Sequence, residues 1–460
     1  MSPLQVAIDS VGRAVASFHP RAQPYMLRAN YARELAAWSV LPLMLGTVEG
    51  GIVGVLVKTY FAGTVTPATL NMAVAIVAGA PAFANITSFL WAAMSHGRHK
   101  IRMLVGLQVA AAMCVGLVAV APRAPIGLLV ITMGAVGARI CWSGVVTIRS
   151  TVWRANYPRH MRARLAGKLA TVQALAMTAA GLGIGLAMKI DDDAFRLLYP
   201  LAALCGFGGA WIYRGLRLRG HRALLRAERS DARGGQFNPL ELRRVLLDDE
   251  RFRRYMTCMF VFGTGNLMVT APLVIMLKDR FELDPFVSVL IVASISTLLM
   301  PLSIPIWSRL LDRMHVIRFR AIHSWSFIAS TGTFLVGALT NQVWLLWVGA
   351  IFKGLAFGGG VLGWNLGHHD FAPPERASQY MGVHVTLTGI RGLLAPIIAV
   401  CLYEILEWIH PGAGPWTLAV CLALSTIGAV WFALMRRTLT GPGGDSEFED
   451  GPPVQPPAAT

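Results

Sequence analysis

The stretch AAWSVLPLMLGTVEGGIVGVLVKTY, from Ala36 to Tyr60, decides the class of this protein. Almost all of it is apolar or small, and a helix rising about 1.5 Å per residue needs roughly 20 such residues to cross about 30 Å of hydrocarbon. One carboxylate, Glu49, interrupts it far from either end. A second run, LLVITMGAVGARICWSGVVTI from Leu128 to Ile148, repeats the pattern with one cation, Arg139. Working outward, comparable runs recur near 36–60, 69–94, 103–121, 125–148, 169–188, 195–213, 255–277, 286–308, 321–339, 342–364, 378–403 and 415–435. The pattern predicts an all-α membrane protein with twelve transmembrane helices.

Composition agrees. The 460 residues are 55% hydrophobic and 14% charged, with a mean hydropathy of +0.55, so polar groups are too few to cover a water-soluble surface. The net charge of +17 is not gathered on one soluble domain, which argues against nucleic acid as a partner. The cations recur between alternate runs instead: Arg21 to Arg33, Arg98 to Arg102, Arg154 to Lys168, Arg214 to Arg254, Arg309 to Arg320, then Arg436 and Arg437. The intervening connections, such as Thr64 to Thr69 and Glu404 to Pro415, carry few. By the positive-inside rule the basic loops and both termini are cytoplasmic. Lipid is then a partner, and the expected location is a bacterial inner (plasma) membrane.

The six cysteines all lie in apolar runs without paired spacing, which indicates neither a disulfide framework nor a metal site. No apolar segment with a cleavage site precedes Ala36, so no removable signal peptide is expected. Residues 1–35 form a cytoplasmic segment in which Leu4 to Phe18 has helical apolar spacing, read either as an interfacial helix or as a flexible tail. Residues 36–214 make one six-helix bundle, 215–254 a polar linker with one short helix around Pro239 to Leu247, and 255–435 a second bundle. The Gly-, Pro- and acid-rich tail, 436–460, is expected to be disordered.

A shift of 215 residues superposes Ala135 on Ala350, Gly144 on Gly359, Val146 on Val361, Pro158 on Pro373, Gly167 on Gly382 and Thr171 on Thr386. Each repeat holds an even number of spans, so the two bundles run in parallel, related by an axis along the membrane normal, with a central cavity between them.

At this point the chain resembles the major facilitator superfamily over about Ala36 to Met435. The family's loop signature, GxxxDRxGRR, is matched by Ser308-Arg309-Leu310-Leu311-Asp312-Arg313 after the eighth span. A poorer copy, Gly97-Arg98-His99-Lys100, follows the second span, with Met94 in the register of the aspartate. The fourth-span signature is approximated by Arg139 to Gly144, and the fifth-span antiporter signature is reduced to Gly181, Gly183 and Gly185 without proline. The resemblance implies that helices one, four, seven and ten, with two, five, eight and eleven, line a substrate pathway, and that the Asp312–Arg313 loop gates the inner face.

Charged groups at mid-membrane depth cost several kcal/mol unless paired or wet, so they mark function by default. Glu49, Arg139, Lys353 and Arg391 all fall there, and the resemblance gathers them around one cavity. Three cations against one carboxylate predict recognition of an anionic solute by Arg139, Lys353 and Arg391. His384, Thr388 and Arg391 share one stripe on helix eleven, adding Thr388 to the binding set and His384 to the proton-responsive groups. Asn266 is the best extra cavity residue among the intramembrane amides, whereas Asn71, Asn85, Gln108 and Gln173 read equally as interhelical glue. Glu49 reads as the proton-coupling carboxylate or as half of a structural ion pair with Arg139 or Arg391. Trp364, Asn365, His368 and Asp370, at the inner end of helix ten, belong with the inner gate rather than with a metal cluster, because adjacent histidines diverge in direction.

No GxxxxGK[ST] loop or nucleophile–base set is present, so neither an ATP-driven pump nor an enzyme is expected, and no cofactor. The reading is a monomeric secondary active transporter that moves a small, anionic organic solute by alternating access, coupled to protons. The competitors are a proton-linked exporter of amphipathic drug-like compounds and, from another class, a transporter-like receptor without flux.

Overall fold

The computed structural model describes residues 12–13, 15–230, 239–372 and 376–439. Most of the Leu4 to Phe18 segment, Gly234 and Gly235 of the linker, Pro373 of the repeat and the acidic tail lie outside them. Eleven helices in the described residues are long and apolar enough to cross a membrane. They are α1 (Tyr25–Tyr60), α2 (Pro67–Ser95), α3 (Lys100–Val120), α4 (Pro125–Asn156), α5 (Arg164–Ile190), α6 (Phe195–Arg214), α7 (Glu250–Asp279), α8 (Pro285–Leu311), α10 (Val343–Asp370), α11 (Gln379–Ile409) and α12 (Gly414–Arg437). The remaining long helix, α9 (Val316–Thr340), carries Arg318, Arg320, His323 and a run of serines and threonines, so its composition is less apolar than the others.

Local chemistry sets the ends. Pro67 and Pro285 open α2 and α8 where their missing N–H costs nothing, behind Thr66 and Asp284 as N-caps; the Asp284 carboxylate accepts from the Phe286 and Val287 N–H groups at 3.0 and 3.1 Å. Asn341, in the left-handed region at φ 55°, closes α9. Two linker helices, His221–Ser230 and Pro239–Asp248, lie between α6 and α7 where one was expected.

Two spans are irregular at mid-depth. α1 breaks between Thr47 and Gly50, with Glu49 in an extended conformation as N-cap of its second half. A Cβ on Gly50 would sit 2.6 Å from the Ala78 carbonyl, so glycine is what lets the α2 backbone approach the break. α8 contains a π-helical turn at Leu290–Ser294. Such a turn shifts one hydrogen-bond register and leaves a carbonyl for another donor.

The repeat is visible as chemistry. Trp91 Nε1 on α2 donates to the Ile140 carbonyl of α4 at 3.1 Å, and Trp307 Nε1 on α8 donates to the Leu355 carbonyl of α10 at 2.7 Å. One turn further on, Gly144 lies against Trp91 and Leu107, and Gly359 against Trp307 and His323. Each half thus ties its second, third and fourth helices together by the same means.

The halves meet along α2–α11, α1–α7 and α5–α8. Gly79 and Gly392 bring α2 and α11 into backbone contact, and Gly181 brings α5 onto Ser294. The polar links between halves cluster at the end bearing the sparsely charged loops. Lys58 pairs with Asp279 at 2.6 Å and donates to Asn71 at 2.6 Å; Asn71 donates to Glu404; Lys189 faces Asp284 at 3.4 Å. Large apolar side chains such as Met133, Leu197 and Leu302 point outward, as lipid contact requires.

Candidate functional site

Arg139 projects from α4 into the break of α1. Its Nε donates to the Val48 carbonyl at 2.7 Å and one terminal nitrogen to Leu45 at 3.3 Å and to Glu49 at 2.5 Å. The guanidinium therefore adds a charged donor to carbonyls at the interruption and pairs with the carboxylate beyond them. Arg139 is buried, whereas the Glu49 side chain keeps 31% of its surface exposed. Lys353 does similar work in the second half: buried on α10, its Nζ donates at 3.0 Å to the Val292 carbonyl, inside the π turn of α8. It also lies within electrostatic range of Glu49.

A cavity of about 340 Å³ opens beside Lys353. Its wall includes Asn266, Lys353, Thr388 and Arg391, four of the five residues expected to bind substrate, together with Trp364 and Asn365, expected at the gate. Arg139 and Glu49 are not in that wall, and every residue that lines it belongs to the second half rather than to both. The physical reason is the α1 break, which turns the first half's cation onto backbone. Phe262, Phe327, Phe334 and Phe357 supply an aromatic lining, while Arg320, Ser330 and Thr331 enter from α9. No acidic side chain lines it.

Arg391 donates to the Met259 carbonyl on α7 and to Thr388 Oγ1 at 3.1 Å, and Thr388 also receives the Trp364 Nε1 at 3.3 Å. His384 is buried behind this group with its ring 5.5 Å from Trp364, and its Nε2 has no partner. Asn266 returns its amide to the Phe262 carbonyl at 3.2 Å.

The expected gate residues separate. Asp312 and Arg313 are exposed at the end of α8, Asn365 is exposed and bonds its own helix, and His368 is buried against His369. Asp370 caps α9 through the Val316 N–H at 2.6 Å. The first loop copy, lacking an aspartate, obtains a carboxylate from the linker. Glu228, on the helix His221–Ser230, accepts from Lys100 Nζ and from the Gly97 N–H, each at 2.8 Å. Of the amides, Asn71 joins the link between halves, Gln173 accepts from Trp38, Asn85 bonds its own helix, and Gln108 is buried without a hydrogen bond, which nothing in the structure explains.

Sequence reasoning missed Arg320 and a second buried group, Glu34 with Arg149. Glu34 Oε2 accepts from Trp153 at 3.0 Å and Tyr157 at 2.9 Å, and Arg149 lies over Trp38 and Trp153 at 4.0 and 4.4 Å. All three charges sit just beyond the ends of apolar runs, where they read as loop.

The Major Facilitator Superfamily model matches residues 36–396. Solved structures similar in fold include a mutant of the nucleoside transporter NupG, at 15% identity and a TM-score of 0.64, covering 87% of this chain and 98% of that one. A D-xylose–proton symporter aligns at 11% identity and a TM-score of 0.65, covering 87% and 96%. A bacterial homolog of the human lysosomal transporter Spinster, in an inward-facing and occupied conformation, aligns at 13% and 0.62, covering 90% and 98%. Comparison with curated protein sequences finds no match. With an all-helical architecture, eleven helices among the described residues apolar enough to cross a membrane, and a family match across most of its length, the chain belongs to the Major Facilitator Superfamily of membrane transporters.

Proposed function

We propose that the protein is a proton-coupled secondary transporter for a small organic anion, with twelve spans including α9, both termini cytoplasmic, in the inner membrane of a bacterium. The observation that carries the substrate charge is the cavity wall: it holds Lys353, Arg391 and Arg320 and no carboxylate. Cations held in a low-dielectric wall lower the cost of bringing an anion out of water and raise that of a cation. Links between the halves at the sparsely charged end correspond, in this topology, to an arrangement closed outside and open to the cytoplasm. Glu49 is the coupling group. It sits at a helix break, is partly exposed, and shares Arg139, so gain of a proton would end the ion pair while the guanidinium keeps its backbone carbonyls, leaving the cation uncompensated at the break.

The test is uptake into proteoliposomes. Glu49→Gln should retain solute binding and lose accumulation driven by a pH gradient; unchanged accumulation removes the coupling role. Arg391→Ala should weaken binding of anions by roughly tenfold or more while leaving neutral analogues near wild type, since a charge-assisted hydrogen bond is worth about 1.5–3 kcal/mol. Equal losses for both would refute the charge argument. A second reading, export of amphipathic compounds, is favoured by the four phenylalanines and Trp364 in the wall. Efflux of hydrophobic cations would decide for it.

A further inference from the structure

The inner end of the cavity contains two buried guanidiniums that the fold leaves incomplete. Arg320 is 2% exposed and Arg391 5% exposed; both line the cavity, and in both the Nε–H has no acceptor. None of the ion pairs made by the described residues involves either one. Gly363, which lies against the Arg320 guanidinium, is the chain neighbour of Trp364, whose indole shares Thr388 Oγ1 with Arg391. His384 Nε2 is also unpartnered, and the Tyr255 hydroxyl is buried against Arg320. Asp370 is committed to the Val316 N–H.

Glycine enforces the arrangement. A Cβ on Gly363 would come within 2.8 Å of the Arg320 guanidinium, and Gly263 lies as close against that of Arg391. Two buried guanidiniums on one cavity wall without an anion leave uncompensated buried charge, a condition costing several kcal/mol. An oxyanion accepting both Nε–H groups, with the Tyr255 hydroxyl in reach, removes that cost.

The rest of the cavity fixes the body of the ligand. Lys353 and Trp364 are eleven positions apart on α10, roughly 16 Å along the helix axis at 1.5 Å per residue, and Trp364 joins Arg391 through Thr388. The cavity is therefore long, with the arginines near one end, Lys353 toward the other, and phenylalanines between. We infer that Arg320 and Arg391 together form an oxyanion subsite, and that the solute is an elongated amphipathic anion, an aryl or alkyl chain ending in a carboxylate or phosphate. This rests on the proposed transport of an organic anion and narrows it to one class.

The experiment uses the full-length protein in lipid nanodiscs and reads binding by calorimetry. The probes are 4-phenylbutyrate, its amide 4-phenylbutanamide, phenylbutyl phosphate, and acetate. Wild type should bind the aryl carboxylate or the aryl phosphate at least tenfold more tightly than the amide, and more tightly than acetate. Whichever aryl anion binds, Arg320→Gln and Arg391→Gln should each weaken it by roughly 30-fold, the scale for truncating one partner of a buried charged contact, with amide binding moving less than twofold. Arg320→Lys, which keeps charge but loses the fork, should fall between. If the amide matches both anions in wild type, or acetate matches them, or Arg320→Gln leaves anion affinity intact, the subsite is overturned. The wild-type comparison needs no variant to fold. Proteoliposome flux of the bound anion is measured separately. Tight, arginine-dependent binding without flux keeps the subsite and defeats the transport reading; flux of other organic anions that Arg320→Gln does not touch does the reverse.

Discussion

Arg139 and Glu49 make one contact and have unequal duties. Arg139 serves two carbonyls of the broken α1 as well as the carboxylate, while Glu49 has half-open surroundings. Removing the cation strands a carboxylate and takes a charged donor from the Val48 carbonyl, while Leu45 keeps the Val48 N–H; removing the negative charge leaves Arg139 with its backbone partners. Arg139→Gln should therefore cost about 3 kcal/mol or more, and Glu49→Gln under about half of that, read as thermal unfolding in detergent. Equal losses would show that the pair, not the break, holds the arginine. Glu49, Arg139, Lys353 and Arg391 were legible in the sequence because a charge inside an apolar run has no bland reading. Arg320, Glu34 and Arg149 were not, since an apolar-run criterion stops at the first charge, and a charge one turn past a run looks wet. In the structure α1 begins at Tyr25 and α4 continues to Asn156, so those charges sit inside helices packed against neighbours.

Among the elements, the linker helix His221–Ser230 is the one whose role the sequence concealed. It docks on the α2–α3 loop through Glu228 with Lys100 and Gly97, and through a tilted contact of His221 with His99 at 4.2 Å between ring centroids. Burial, then the charges of His221 and Arg102, holds the His99 imidazole below its ordinary value. The sign follows: a histidine whose bound-state affinity for a proton is depressed favours docking above its free value of about 6.5, and that contribution fades as the pH falls through it. Hydrogen exchange across 221–230 should be slow at pH 7.5 and faster at pH 5.5, with His99→Gln flattening the difference; a pH-independent rate in the wild type would contradict it. The missing aspartate of the first loop copy was readable as a gap. Its replacement from 128 residues further along the chain was not, because only folding brings Glu228 to Lys100. The interruptions of α1 and α8 were equally silent, since neither Val48-Glu49 nor Leu290–Ser294 contains a proline.

For the whole molecule, the succession of long apolar helices could be read from hydropathy, with eleven rather than twelve of those among the described residues apolar enough to cross a membrane. Which half holds the cavity could not, for it depends on where individual arginines turn. Alternating access requires the contacts between halves at one end to open while others form. Here that end is held by Lys58, Asp279, Asn71 and Glu404. Lys58→Ala should shift the population toward the state open at that end, so that a cysteine placed at Val274, now buried, becomes several-fold more reactive to an impermeant thiol reagent once the native cysteines are replaced. Unaltered labelling would mean the glycine contacts alone decide the state.

The matched bonds Trp91 to Ile140 and Trp307 to Leu355 have a mechanical consequence. Because each rigid block carries its own fastener, a turnover need not rearrange the interior of either one. Work is spent only along the seam where glycine backbones and a handful of ions part and rejoin, as two halves of a clamp move without either jaw being bent.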